Sequence, residues 1–106
     1  MSFENLHIVE HPLAQHFVAL LRDIRTPPAE FRVLCKRLTL LLAVEASRTL
    51  HTAVRAVQTP LESAKCRFVD ESVVAAVILR AGLGMLDPIV ELFPDVAVGY
   101  VGLERN

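Results

Sequence analysis

At 106 residues the chain has the size of one domain and is long enough to bury a core. Hydrophobic residues make up 53% of it, and counting the glycines brings the apolar class to about 57%, above the roughly 45–50% usual in soluble domains. Apolar surface is therefore expected to be covered by a partner subunit or by further polypeptide. The net charge of −1, with both signs interspersed, lacks the electrostatic footprint of a nucleic-acid or anionic-membrane binder, so no nucleic acid and no membrane are expected as partners.

The first residues, Met1-Ser2-Phe3-Glu4-Asn5, lack the basic start and apolar core of a signal peptide, and no later apolar run is long enough for a membrane helix. A cytoplasmic location is the expectation. After a short apolar lead-in, Leu6 to Val9, His11-Pro12 opens a helix with proline where its missing N–H costs nothing. Leu13, Phe17, Leu20, Leu21 and Ile24 follow at helical spacing, with Gln15, Arg22 and Asp23 on the other side. Thr26-Pro27-Pro28 ends that helix and starts the next. Thr26 is the expected N-cap, and Glu30 stands in the first turn, where the helix dipole favours an anion. Phe31, Leu34, Leu38, Leu41 and Leu42 form the apolar stripe, which widens from Leu40 to Ala43 and predicts burial there on more than one side.

From Thr52 to Val69 the period changes. Val54, Val57 and Leu61 mixed with Arg55, Gln58, Glu62, Lys65 and Arg67 predict one or two poorly defined strands, broken near Thr59-Pro60, that form a projecting arm. Val73 to Leu79 is an unbroken apolar run that reads as a strand buried on both faces. Arg80-Ala81-Gly82-Leu83-Gly84 follows, and Met85, Leu86, Ile89, Val90 and Leu92 then carry helical spacing to Phe93-Pro94. Val96 to Leu103 is a second strand, so strand, helix and strand predict a right-handed parallel βαβ unit.

A glycine turn at the carboxyl end of a parallel strand is where α/β sheets bind ligands, and N–H groups at a helix start favour anions. Arg80 adds a fixed charge with a donor fork suited to phosphate. Two readings of this turn stand on local pattern: an anion site, or a strand-to-helix turn with a surface arginine. A dinucleotide site is a third, since Gly82-x-Gly84 follows a strand and Glu104 lies about 20 residues on, but Asp87 takes the place of the third glycine. A Walker A loop is excluded by the lack of any Gly-Lys-Ser or Gly-Lys-Thr. His7 and His11 are separated by the expected helix start and suggest no metal site. Cys35 and Cys66 suggest neither zinc nor a disulfide, and Ser47 and Ser72 have no glycine elbow.

Taken together, Ile78-Leu79-Arg80-Ala81-Gly82-Leu83-Gly84-Met85, His11-Pro12-Leu13, Phe31-Arg32, Leu41-Leu42-x-x-Glu45-Ala46, Thr59-Pro60-Leu61 and Arg105-Asn106 resemble the uracil phosphoribosyltransferase family. The resemblance covers essentially this whole chain and the amino-terminal half of the family's protein. It implies a partial type I phosphoribosyltransferase fold of class α/β, with residues 1–106 as the amino-terminal part of a single domain. It further implies transfer of a phosphoribosyl group from phosphoribosyl pyrophosphate to uracil, giving UMP and pyrophosphate in pyrimidine salvage, with Mg²⁺ assisting, in a cytosolic homo-oligomer. By motif, Arg80 and Arg105 would hold phosphoribosyl pyrophosphate, and Ala81 and Gly82 would shape the pyrophosphate loop. The chain departs from the family pattern at Val44, Val77 and Glu104. It also lacks the family's Thr-Gly-Gly-Ser and Gly-Asp-Ala segments, which hold the ribose phosphate and read uracil. Uracil is therefore expected as a ligand only when a carboxyl-terminal half is supplied. A non-catalytic interaction or dimerisation module is the competing expectation.

Overall fold

The computed structural model describes residues 4–103. Helix α1 (Pro12–Arg22) starts where proline at its first position predicts, and His11 caps it through Nδ1, which accepts from the Leu13 N–H at 3.1 Å. Helix α2 (Pro28–Ala46) lies against α1, with Leu34 at 2% exposure and Ala14 buried between them. The N-cap of α2 is Pro27 and not Thr26. The Thr26 hydroxyl instead donates to the Leu20 carbonyl at 2.6 Å, because a sharp corner brings it back over the open carboxyl end of α1. Asp23 and Arg25 form a bidentate surface pair at the same corner, and those hydrogen bonds hold the Asp23 carboxyl below its usual value. Thr26→Val removes the half-buried donor and is expected to lower stability by about 1 kcal/mol. Urea unfolding checks this, with an unchanged midpoint as the contrary outcome.

Strands β1 (Thr52–Gln58) and β2 (Ser63–Val69) are better formed than their composition suggested. They pair antiparallel over seven residues, from Thr52 opposite Val69 to Gln58 opposite Ser63. The turn between them closes through the Thr59 N–H donating to the Glu62 carbonyl at 2.9 Å, with the Thr59 hydroxyl accepting from the Glu62 N–H at 3.0 Å. Pro60 sits in that turn, where it breaks no ladder bond. At the other end the His51 N–H donates to Glu71 Oε2 at 2.8 Å, and the Asp70 N–H to the His51 carbonyl at 2.8 Å. Among the described residues this hairpin packs against no other element, so it projects as an arm.

Strands β3 (Val74–Ile78) and β4 (Ala97–Val101) pair in parallel, Val74 opposite Ala97 through Ile78 opposite Val101. The crossover between them holds a 3-10 turn (Ala81–Met85) and helix α3 (Leu86–Leu92). The predicted βαβ unit is present. Its strand β3, however, is covered on one side only: Val77 is buried, while Val74 and Ile78 are exposed, because the helices pack against a single face. Similarly, Ala43 of α2 is buried while neighbouring Leu42 is exposed. Helix α2 touches α1, α3 and the 3-10 turn, and is the element to which the crossover is anchored. The radius of gyration, 17.7 Å, exceeds the ~13 Å of a compact domain of about 100 residues. Among the described residues no helix is long and apolar enough to cross a membrane.

Candidate functional site

The parallel register brings the carboxyl ends of β3 and β4 to the same edge. The Leu79 N–H donates to the Val101 carbonyl at 2.8 Å, extending the ladder one step beyond β3 and fixing where Arg80 leaves the sheet. The Leu79–Arg80 peptide is cis. The Arg80 carbonyl then accepts from the Leu83 N–H at 3.1 Å, which winds the chain at once into the 3-10 turn. The predicted order of strand, glycine turn and helix is thus modified, for the α-helix begins only at Leu86. The open backbone donors of this crossover are consequently those at the start of the 3-10 turn. Among the described residues the N–H groups of Arg80, Ala81 and Gly82 have no hydrogen-bond acceptor, as the first donors of a helical turn do not.

Leu79, Arg80, Gly102 and Leu103 line an open depression of ≈ 640 Å³ at this edge. Arg80 is exposed, and among the described residues no carboxylate pairs with it. Its guanidinium, with its delocalised charge and five donors, therefore remains available to an anion. Ala81 is exposed and Gly82 half-buried beside it. Arg105, the second arginine expected here, lies outside the described residues, as does Glu104. Gly102 and Leu103 form the facing wall and were not singled out from the sequence. The signal for them was the register: once Ile78 stands opposite Val101, Gly102 falls opposite Leu79.

The two glycines of the turn have different reasons to be there. Neither has a positive φ, so left-handed backbone is not what requires them. A Cβ on Gly82 would stand 3.2 Å from Val77 Cγ1, because the turn folds down onto the buried residue of β3. A Cβ on Gly84 would meet nothing within 4 Å. Gly82→Val is expected to lift the turn off Val77 and weaken anion binding through geometry, costing about 1 kcal/mol or more by overpacking. Gly84→Ala should leave both binding and stability nearly unchanged. Parallel thermal melts and pyrophosphate titrations compare the two, and equal effects at both positions would contradict the distinction.

A second cleft of ≈ 500 Å³ opens at the opposite, amino ends of the strands, lined by Val69, Glu71, Val73, Phe93, Asp95 and Val96 among others. Ligands of open parallel sheets sit outside the carboxyl ends, so chemistry is assigned to the depression at Arg80. Among the described residues no carboxylate lines that depression, and the side chains that do line it offer a divalent cation no ligand. They include no nucleophile and no group suited to take a proton near neutral pH. What this edge can do is bind an anion.

A family model described as uracil phosphoribosyltransferase matches residues 8–106. The uracil phosphoribosyltransferase of Thermosipho melanesiensis is 46% identical over 102 residues, which are 95% of this chain and 49% of that relative. That of Campylobacter curvus is 41% identical over 103 residues, 97% of this chain and 50% of the relative. Among solved structures, the AQ2163 protein from Aquifex aeolicus superposes with a TM-score of 0.80 at 30% identity, covering 92% of this chain and 48% of its own. The chain thus spans about half the length of the curated relatives it matches. Nothing in these comparisons favours a dinucleotide-binding protein.

Proposed function

The chain belongs to the uracil phosphoribosyltransferase family, and we propose on that footing that the edge around Arg80 holds the pyrophosphate group of phosphoribosyl pyrophosphate. The observation carrying this reading is the place of Arg80: it lines the depression at the carboxyl ends of two parallel strands, among the described residues no carboxylate pairs with it, and it leads directly into the turn whose Ala81 and Gly82 N–H groups have no acceptor among those residues. In the reaction, N1 of uracil displaces pyrophosphate from C1 of the ribose, giving UMP in pyrimidine salvage, and negative charge builds on the departing oxygens. Donors fixed in advance around that charge stabilise the transition state more than the ground state. Arg80 and the turn N–H groups fill that role here, and Arg105 is assigned to the same group by its motif. The family resemblance implies Mg²⁺, which would supply charge neutralisation on the diphosphate, and among the described residues the depression offers it no side-chain ligand. The uracil N1 proton, the ribose and the base are handled by groups beyond this depression, so this chain contributes one part of a site that further polypeptide completes.

Titrating inorganic pyrophosphate into the chain by calorimetry or NMR tests the reading. Weak binding is expected, with chemical-shift changes centred on residues 79–84 and an affinity that falls with added salt, since charge supplies much of it. Shifts elsewhere, or none at millimolar pyrophosphate, would leave the turn a structural element alone.

A further inference from the structure

Two backbone hydrogen bonds hold the turn after β3, from the Leu79 N–H to the Val101 carbonyl and from the Leu83 N–H to the Arg80 carbonyl. The first acts along the sheet edge and the second within the turn, so neither sets how far Ala81 and Gly82 stand off the strand. A side chain does. A Cβ built on Gly82 would lie 3.2 Å from Val77 Cγ1, 3.8 Å from the Val77 carbonyl carbon and 3.9 Å from its Cα, so its three nearest neighbours from outside the turn all belong to one residue. Val77 is itself buried, at 6% exposure. Two γ carbons on its Cβ restrict χ1, which makes Cγ1 a stiff stop at a set height above the strand.

Around that contact the packing is open. A mostly apolar hollow of ≈ 200 Å³ lies beside it, lined by Ala76, Val77, Ile78, Gly82, Met85 and Leu86. Met85 is exposed, and its unbranched, flexible side chain makes a poor support. The turn therefore has room to sink or slide wherever Val77 does not stop it. Displacement matters unequally to the two kinds of donor at this edge. Arg80 can follow a displaced anion with its long side chain, whereas the Ala81 and Gly82 N–H groups move only with the turn, and hydrogen bonds weaken steeply as their geometry departs from the optimum.

We propose that Val77 is a positioning residue for the Arg80 edge: its Cγ1 is the stop on which Gly82 rests, and it thereby sets where the Ala81 and Gly82 N–H groups stand relative to Arg80. This role rests on the pyrophosphate reading of the edge, and it falls to a residue that lies beneath the turn and does not line the depression.

Isomeric substitutions separate a stop from a mere filler. Val77→Ile keeps both γ carbons, and its added methyl has the hollow to enter. Val77→Leu carries the same atoms on a single γ carbon, which moves the branch one bond outward. In pyrophosphate titrations followed by amide NMR, the Ile variant is expected to bind within about twofold of wild type and the Leu variant about three- to tenfold more weakly, the net contribution of one hydrogen bond. Salt dependence should stay that of wild type in both, because Arg80 still supplies the charge. Gly82→Ala should weaken binding as well, since its methyl meets Cγ1. The double variant, Val77→Ala with Gly82→Ala, should bind more tightly than either single one, because the added methyl takes the place of the lost Cγ1 and the two changes are coupled. Circular dichroism checks each fold, and if Val77→Ala alone does not fold, the Ile and Leu pair, which keep the core filled, carries the test. Equal affinities for the two isomers, or a double variant no better than the weaker single one, would overturn the proposal. No binding by the wild type would instead sink the pyrophosphate reading. Val77 is then judged by the Ala81 and Gly82 amide signals of the free chain: displaced by Leu and not by Ile if it is the stop, displaced alike if it only fills the core.

Discussion

Residues 1–106 incubated with uracil, phosphoribosyl pyrophosphate and Mg²⁺ are expected to form no UMP. Adding a polypeptide that corresponds to the remaining half of a relative is expected to restore turnover. On the proposed reading the described depression would supply electrostatic help to a leaving group, and its described lining holds nothing that would orient the ribose or the base. Holding reactants in line contributes up to about 7–11 kcal/mol of a barrier, and charge stabilisation by a small set of donors contributes about 3–4 kcal/mol. The missing share is the larger one, so pyrophosphate binding without catalysis is the predicted state of the chain alone. Radiolabelled uracil gives the needed sensitivity. UMP made by mass-verified, pure chain would refute this division of labour, and failure to recover activity in the mixture would favour a non-catalytic module.

Arg80→Ala is expected to weaken pyrophosphate binding by about 1–3 kcal/mol, the range for a charge-assisted contact, or roughly 5- to 150-fold. Because Arg80 is exposed and forms no ion pair among the described residues, the substitution leaves no carboxylate unpaired and should not shift the melting temperature. Loss of affinity at constant stability is therefore the signature. Arg80→Lys should fall between wild type and alanine, since it keeps the charge and loses the planar fork. Arg105→Ala is expected to cost less, because Glu104 is a competing carboxylate next to it in sequence. Calorimetry on the four proteins checks the order. Binding indifferent to Arg80 would remove the basis of the proposed site.

Local chemistry was legible directly. Pro12 and Pro28 stand at helix starts because they lack an N–H that a first turn does not use, and the predicted helices begin there. The apolar run ending at Ile78, followed by Arg80 and Gly82, marked both β3 and the edge at which pyrophosphate binding is proposed. Where reading failed, a longer-range contact had won. Thr26 has the right chemistry for a cap and was assigned to α2, but the corner between the helices delivers its hydroxyl to Leu20, six residues earlier. The charged, mixed composition of residues 52–69 concealed a regular hairpin, because its order comes from cross-strand pairing that no alternation in one strand reveals. Its projection as an arm was the expectation from the sequence, and among the described residues it packs against no other element.

What the sequence by itself determined was the kind and order of elements, the family motif, and the identity of the cation at the turn. These follow from residue-level preferences, namely where an N–H is missing, where a Cβ is absent and how apolar residues repeat, all of which act over a few positions of chain. Only the tertiary structure decided which wall faces Arg80, why Gly82 and not Gly84 is sterically needed, and that a basic arm rises beside an acidic cleft. Each of those depends on which distant residues the parallel register and the helix packing bring together: Gly102 opposite Leu79, Val77 beneath Gly82, and Glu71 at the root of the hairpin. Such pairings are set by the burial of whole faces, a free energy summed over many residues, and no single stretch of sequence carries it.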